Sequence, residues 1–353
     1  MDDGGGMMDA GGERAALLWQ KLEEFSGPAL FSADLLDEET AGGVSLDGVV
    51  RMISHDPGLS DSVVAMCRCA HRSMHGAGVG FPRLAAMLGL RRIGRLVVVA
   101  QICGLLRDES AYAAEMGRGV EDSLFDERGL WIHGVAVATA SEWIAHELLP
   151  LGGSVVPSDA FAAGLLSVAG RQALGLLAPR GYAWTVRLAA QSGFDALASE
   201  RRTLGVDAGE AGLRLAERWG LPKDLSESMA AAGEPGEPGG PGSDLVSVVA
   251  LAKWICRRYH LGWSGDWTDA GAGESMLSRL GLSRGVVESM VPGVMVDTGR
   301  CVELLGFGGP GFVPDRMPLV IADEANRTLD ALIRRHSGRC ASRSAGAARA
   351  KVA

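Results

Sequence analysis

Apolar positions recur at helical spacing through most of the chain, and nowhere do they alternate as a half-buried strand requires. From about Glu13, Leu17, Leu18, Leu22 and Phe25 make one stripe, which Pro28 ends. Ser45 stands as an N-cap ahead of Leu46, Val49, Val50 and Ile53, spaced i, i+3, i+4, i+7, and Asp56-Pro57 stops that helix. The next helix is predicted from about Leu59 to Ala70. A Gly-rich turn at Gly76 to Gly80 separates it from runs at about 82–88 and 91–106. Residues 107–127 are polar and acidic and read as a loop. A long helix is predicted at about 129–148. Shorter ones follow at about 159–168, 170–178, 182–192, 195–204, 207–219 and 222–231, with Pro222 suited to a first turn.

Gly and Pro interrupt this pattern at 233–242, where neither helix nor strand ladder can form. Ser243 is placed to cap a helix to about His260. A looser region of short helices is expected at 273–305, and a last helix near 317–335. Residues 1–12 have little to bury and are expected to be disordered. From Arg334 the chain carries Arg334, Arg335, Arg339, Arg343, Arg349 and Lys351 and no acid, so 336–353 reads as a disordered basic tail. The fold class is all-α: a helical domain at 13–262, divided into 13–106 and 129–262, then a helical C-terminal extension at 263–335.

Composition narrows the function classes. The chain has 353 residues, 47% hydrophobic and 22% charged, enough for one large domain or two modest ones. A net charge of −9 argues against non-specific nucleic-acid binding. The N-terminus does not resemble a signal peptide, and stretches such as Leu96 to Leu106 are too short to span a bilayer. The six cysteines, Cys67, Cys69, Cys103, Cys256, Cys301 and Cys340, show no disulfide framework. Free thiols in a reducing compartment, and hence a cytoplasmic protein, are the expectation.

Several segments resemble the HDOD domain family. Ser45 to Ser60, with the turn Ser54-His55-Asp56-Pro57-Gly58-Leu59-Ser60, resembles its N-terminal signature. Leu88-Gly89-Leu90 with Arg91 and Ile93, Leu130-Trp131-Ile132-His133, Phe161-Ala-Ala-Gly-Leu-Leu166 and Trp219-Gly-Leu-Pro222 resemble its later steps, in order. The resemblance covers about Leu17 to Leu261. It implies an HD-like multi-helix bundle and a role in bacterial signalling or regulation. It also implies kinship with metal-dependent HD phosphohydrolases, whose metals activate water and clamp phosphate oxygens.

On this resemblance, His133 takes the place of the first metal-binding His. The His-Asp pair after the Ala-Gly-Leu-Leu step falls on Ser167 and Val168. A further His falls near Ala208, tandem His positions fall near Ala230 to Ala232, and the final Asp falls near Lys253. Valine and alanine cannot ligate a metal, and an ammonium repels one. The expectation is therefore a vestigial site at His133, Ser167, Val168, Ala208 and Lys253, with no catalytic residue, no metal and no cofactor. A non-catalytic regulatory module acting through a signalling protein or small ligand follows, with no specific nucleic acid and no membrane as partner. Two other readings stay open. Lys253 with arginines suits a nucleotide-binding sensor. Asp159, Asp207 and Glu210 lie near the relevant helices as an unrecognised ligand set.

Other constellations weigh less. Cys67-x-Cys69-x-His71-x3-His75 has the residue types of a zinc set, but Cys69 points away from Cys67 and His71 on one helix. Arg68 and Arg72, with Arg91, Arg92 and Arg95, form a candidate basic patch for phosphate or a partner. Trp131, Trp143 and Trp254 read as core. No P-loop, Rossmann fingerprint or Gly-x-Ser-x-Gly elbow occurs.

Overall fold

The computed structural model describes residues 5–28, 45–74, 78–116, 125–192, 195–231, 244–263, 265 and 273–308. Among them there is no strand, in agreement with the all-α expectation. The helices are α1 (Gly5–Glu24), α2 (Leu46–Ser54), α3 (Pro57–Cys69), α4 (Phe81–Leu88), α5 (Leu90–Glu115), α6 (Glu127–Leu148), α7 (Pro157–Leu166), α8 (Ala169–Leu177), α9 (Pro179–Ser192), α10 (Ala196–Leu204), α11 (Ala208–Arg218), α12 (Lys223–Ala230), α13 (Asp244–Arg258), α14 (Gly273–Leu280) and α15 (Arg284–Leu304).

Ser45 caps α2 as the sequence predicts, and two caps that the sequence reading did not name start α3 and α11. Ser45 Oγ accepts from Gly48 N at 3.1 Å, and Asp56 Oδ1 accepts from Leu59 N at 3.0 Å with Pro57 in the first turn of α3. Asp207 and Glu210 form a reciprocal capping box that starts α11.

Helix α6 is the axis of the bundle. Nearly all of it is buried, and α7, α13 and α15 pack on it. A helix apolar on every side has no solvent face to spare, so it belongs inside. Glycine lets the closest neighbours approach. A Cβ on Gly164 would stand 2.7 Å from the backbone of Ala138, and one on Gly170 would collide with the carbonyl of Ala208. Thus α7 packs backbone to backbone on α6, and α8 on α11. The run Pro157–Leu177 is the only one among the described residues long and apolar enough to cross a membrane, and 89% of its apolar window is buried inside the fold.

Three element readings need correction. Residues 5–12 are helical rather than disordered, because α1 begins at Gly5, ahead of the expected start near Glu13. Docking of Leu18, Leu22 and Phe25 nucleates that helix, and propagation upstream then costs little. Helix α5 runs to Glu115 instead of stopping near 106, so much of the supposed 107–127 loop is helix. Its outer turns are polar and leave no stripe, yet residues such as Ala113, Ala114 and Glu115 are good helix formers. The short helices expected at 273–305 are α14 and one 21-residue helix, α15, with Pro292 inside it. Packing of Gly293 against Trp143 holds the helix through that break. The expected loop at 233–242, the helix near 317–335 and the tail at 336–353 lie outside the described residues.

The C-terminal extension is seated on the bundle at both ends of α6. Trp143 Nε1 donates to Asp297 Oδ2 at 3.0 Å, and Arg72 lies 4.0 Å over the Trp143 ring. At the opposite end Phe307 stacks on Trp131 with centroids 4.7 Å apart, and Arg107 covers its other side. Helix α15 therefore runs antiparallel to α6.

Candidate functional site

His133 lies in the buried middle of α6. Its Nδ1 pairs with the Leu261 carbonyl oxygen at 2.9 Å. That contact depends on Gly262, whose positive φ of 72° places its Cα against the His133 backbone, where any side chain would collide. Burial pushes the imidazole pKa down to about 3; the Leu261 contact opposes this, while Arg257, Lys253 and Arg171 add to it. His133 is thus a neutral imidazole among cations.

Lys253 projects from the buried side of α13. Its Nζ donates to Ala231 O at 3.1 Å and to Ser167 O at 3.4 Å. Ser167 and Ala231 are the C-caps of α7 and α12, where carbonyls lack intrahelical partners and the helix dipole is negative. One ammonium therefore joins two helix C-termini. Burial drives its pKa well below the ordinary lysine value, with Arg171 and Arg257 adding to the effect.

Ser167 spends its own hydroxyl on Gly164 O at 2.7 Å. Val168 packs on α6 at Gly134, where its Cγ2 would lie 2.8 Å from an added Cβ. Ala208 offers only backbone. Its N–H donates to Glu200 Oε2 at 2.7 Å, and the other oxygen of that buried carboxylate accepts from Arg171 Nε at 3.0 Å and Tyr182 OH at 2.8 Å. The structure thus gathers Ser167, Lys253, Val168 and His133 around the ends of α7, α12 and α13, and connects Ala208 to them through Glu200 and Arg171.

Arg171, Tyr182, Glu200, Arg257 and Leu261 had no signal in the sequence reading. Arg171 and Glu200 are 29 positions apart on different helices, so no local spacing reveals the pair. Phe125 closes this side, edge-on to Tyr182 at 4.9 Å and to Trp263 at 5.6 Å.

A divalent cation needs several oxygen or imidazole donors converging on one point. Here one imidazole, with Nδ1 on Leu261, has only Nε2 to offer, the hydroxyl of Ser167 turns to its own helix, and an ammonium with two arginines supplies the local charge. These side chains do not fit a metal of the HD type. Among the described residues no group of three His, Cys, Asp or Glu side chains converges as a ligand set.

The other candidate residues are dispersed. Asp159 faces Arg95, which also binds Asp224 at 2.7 Å, while Asp207 pairs with Arg201 at 2.6 Å as it caps α11. Asp159 therefore serves the contact with Arg95, while Asp207 and Glu210 together cap α11. Arg95 is buried, so the basic patch drawn from Arg68, Arg72, Arg91, Arg92 and Arg95 loses that member. Cys67 and Cys69 are both buried, and burial raises the Cys67 thiol to about 12. His75 lies outside the described residues.

The fold has known counterparts. An HDOD domain protein from Geobacter sulfurreducens is 20% identical, with a TM-score of 0.61 over 83% of this chain and 98% of that one. A protein from Shewanella amazonensis SB2B, provisionally named a phosphohydrolase, is 24% identical with a TM-score of 0.58 over 82% and 98%. One from Marinobacter aquaeolei VT8, provisionally named a signal transduction protein, is 16% identical with a TM-score of 0.58 over 85% and 66%. At these identities the likeness is one of fold. No curated protein matches the chain. The family model for the HDOD domain matches residues 32–235, more than half the chain, and the chain belongs to the HDOD domain family.

Proposed function

We propose that this protein is a non-catalytic regulatory module of bacterial signalling, acting by binding a signalling protein or small ligand. The observation that carries the reading is Lys253, whose ammonium ties the carbonyls of Ser167 and Ala231 beside a neutral His133. A tethered cation there joins helix ends and brings positive charge, and it cannot activate water on a phosphodiester. The provisional name of the Marinobacter neighbour agrees with a signalling role. The test is incubation of the purified full chain with cyclic dinucleotides and Mn²⁺. The reading expects no turnover, and sustained hydrolysis abolished by His133→Ala defeats it.

A second reading has its own observation: Lys253, Arg171 and Arg257 surround one imidazole, a charge pattern suited to a nucleotide phosphate. Calorimetry with a panel of mononucleotides and cyclic dinucleotides decides it, uniform absence of heat removing it. A phosphohydrolase with a different ligand set, as the name of the Shewanella neighbour invites, lacks support in the placement of Asp159, Asp207 and Glu210.

A further inference from the structure

The thiols of Cys69 and Cys301 meet where the C-terminal extension crosses the end of α3. Cys69 is the last residue of α3, Cys301 lies in the last turn of α15, and the two helices pack on each other. Two separate contacts bring them together. The thiols hydrogen-bond to each other. Independently, Arg72, three residues after Cys69, lies 4.0 Å over the Trp143 ring, and Trp143 Nε1 donates to Asp297, one helical turn before Cys301. The end of α3 and the face of α15 that carries Asp297 and Cys301 are thus set against one spot on α6.

Both thiols are buried. Burial first, then the contact with Cys301, holds the Cys69 pKa well above its ordinary value, so the pair rests as thiols at neutral pH. Two thiols already in contact need no cavity to join. Their sulfurs have only to close to a bond length of about 2.0 Å as the hydrogens leave.

We propose that Cys69 and Cys301 form an oxidation-sensitive pair, which peroxide closes to a disulfide that staples α15 to the end of α3. Hydrogen peroxide is small and uncharged, so it enters on the same small fluctuations that admit water. One thiol reacts with it to give a sulfenic acid and water. The neighbouring thiol then attacks that sulfur, forming the S–S bond and releasing a second water. Each sulfur gives up one electron, and the two electrons reduce the peroxide O–O bond. The raised pKa slows the first step, so the pair answers sustained rather than brief exposure. The bond closes a loop through most of the chain and holds the extension on the bundle. None of this depends on how the Lys253 region functions.

The test exposes the native full-length chain to hydrogen peroxide, blocks the remaining thiols with N-ethylmaleimide in denaturant, and maps the peptides by mass spectrometry without reductant. Urea unfolding of the oxidised chain is compared with that of the untreated chain. The expected result is a peptide pair linked through Cys69 and Cys301 as the main disulfide, with a higher urea midpoint that dithiothreitol returns to its starting value. Cys301→Ser should give neither the linked pair nor the rise. No disulfide, a main linkage through Cys67, Cys103, Cys256 or Cys340, or a Cys69–Cys301 linkage that leaves the midpoint unchanged overturns the proposal. Should Cys301→Ser fail to fold, the peptide map and the midpoint of the parent chain decide it.

Discussion

The Nζ of Lys253 lies 3.1 Å from the carbonyl oxygen of Ala231, and the same ammonium reaches Ser167 O from the other side. Two helix C-termini that need donors therefore share one side chain, at the cost of burying its charge.

That cost gives Lys253→Met a pH signature. The folded-state pKa of Lys253 lies below its ordinary value, so the unfolded chain binds the extra proton between the two. The penalty for burying the ammonium is present at lower pH and disappears as pH rises toward 10.5. The stability of Lys253→Met relative to the parent should fall as pH rises from 7 to 10, as read by urea unfolding. A difference independent of pH would mean that Lys253 keeps its ordinary ionisation in the fold.

His133 should stay neutral far below the usual histidine range. Its folded pKa of about 3 lies below the ordinary histidine value of 6.5, so it contributes stability that is fully present above pH 6.5 and is lost as pH falls toward 3. The loss should amount to a few kcal/mol. In NMR titration the His133 ring should show no midpoint between pH 8 and 5; a midpoint near 6.5 would contradict the buried, cation-flanked placement.

Gly293→Ala decides between helix propensity and packing. In an exposed helix Ala is better than Gly by about 1 kcal/mol. Here the added Cβ would press into the Trp143 ring, against Cη2 and Cζ2, with Pro292 already limiting how the helix can yield. Overpacking typically costs about 1–3 kcal/mol, so the variant should be less stable than the parent. Denaturant unfolding followed by tryptophan fluorescence measures it, and a stabilised variant would show that α15 is free to move off α6.

Legibility in the sequence followed the range of the interactions. Ser45 announces a helix start because a cap acts on its own first turn, whereas Asp56-Pro57, which reads as the end of α2, also starts α3. The stripes of Leu18, Leu22 and Phe25, and of Val49 and Ile53, announce buried faces because their period is local. The reading of 273–305 as short helices missed α15 because the contact of Gly293 with Trp143, which holds the helix through Pro292, is 150 positions away in the chain. The same limit hid the engagement of Arg171 with Glu200 and of Lys253 with Ser167. The family resemblance could nominate Lys253, but only folding shows that its partners are backbone carbonyls.

On the proposed function, the His133 and Lys253 region holds no catalytic metal. The most direct measurement is metal content: the full chain is incubated with Mn²⁺ or Fe²⁺, desalted, and analysed by inductively coupled plasma mass spectrometry alongside Lys253→Asp and His133→Ala. The expected result is metal far below one ion per chain in the parent. One tightly held ion per chain, lost in His133→Ala, would contradict it.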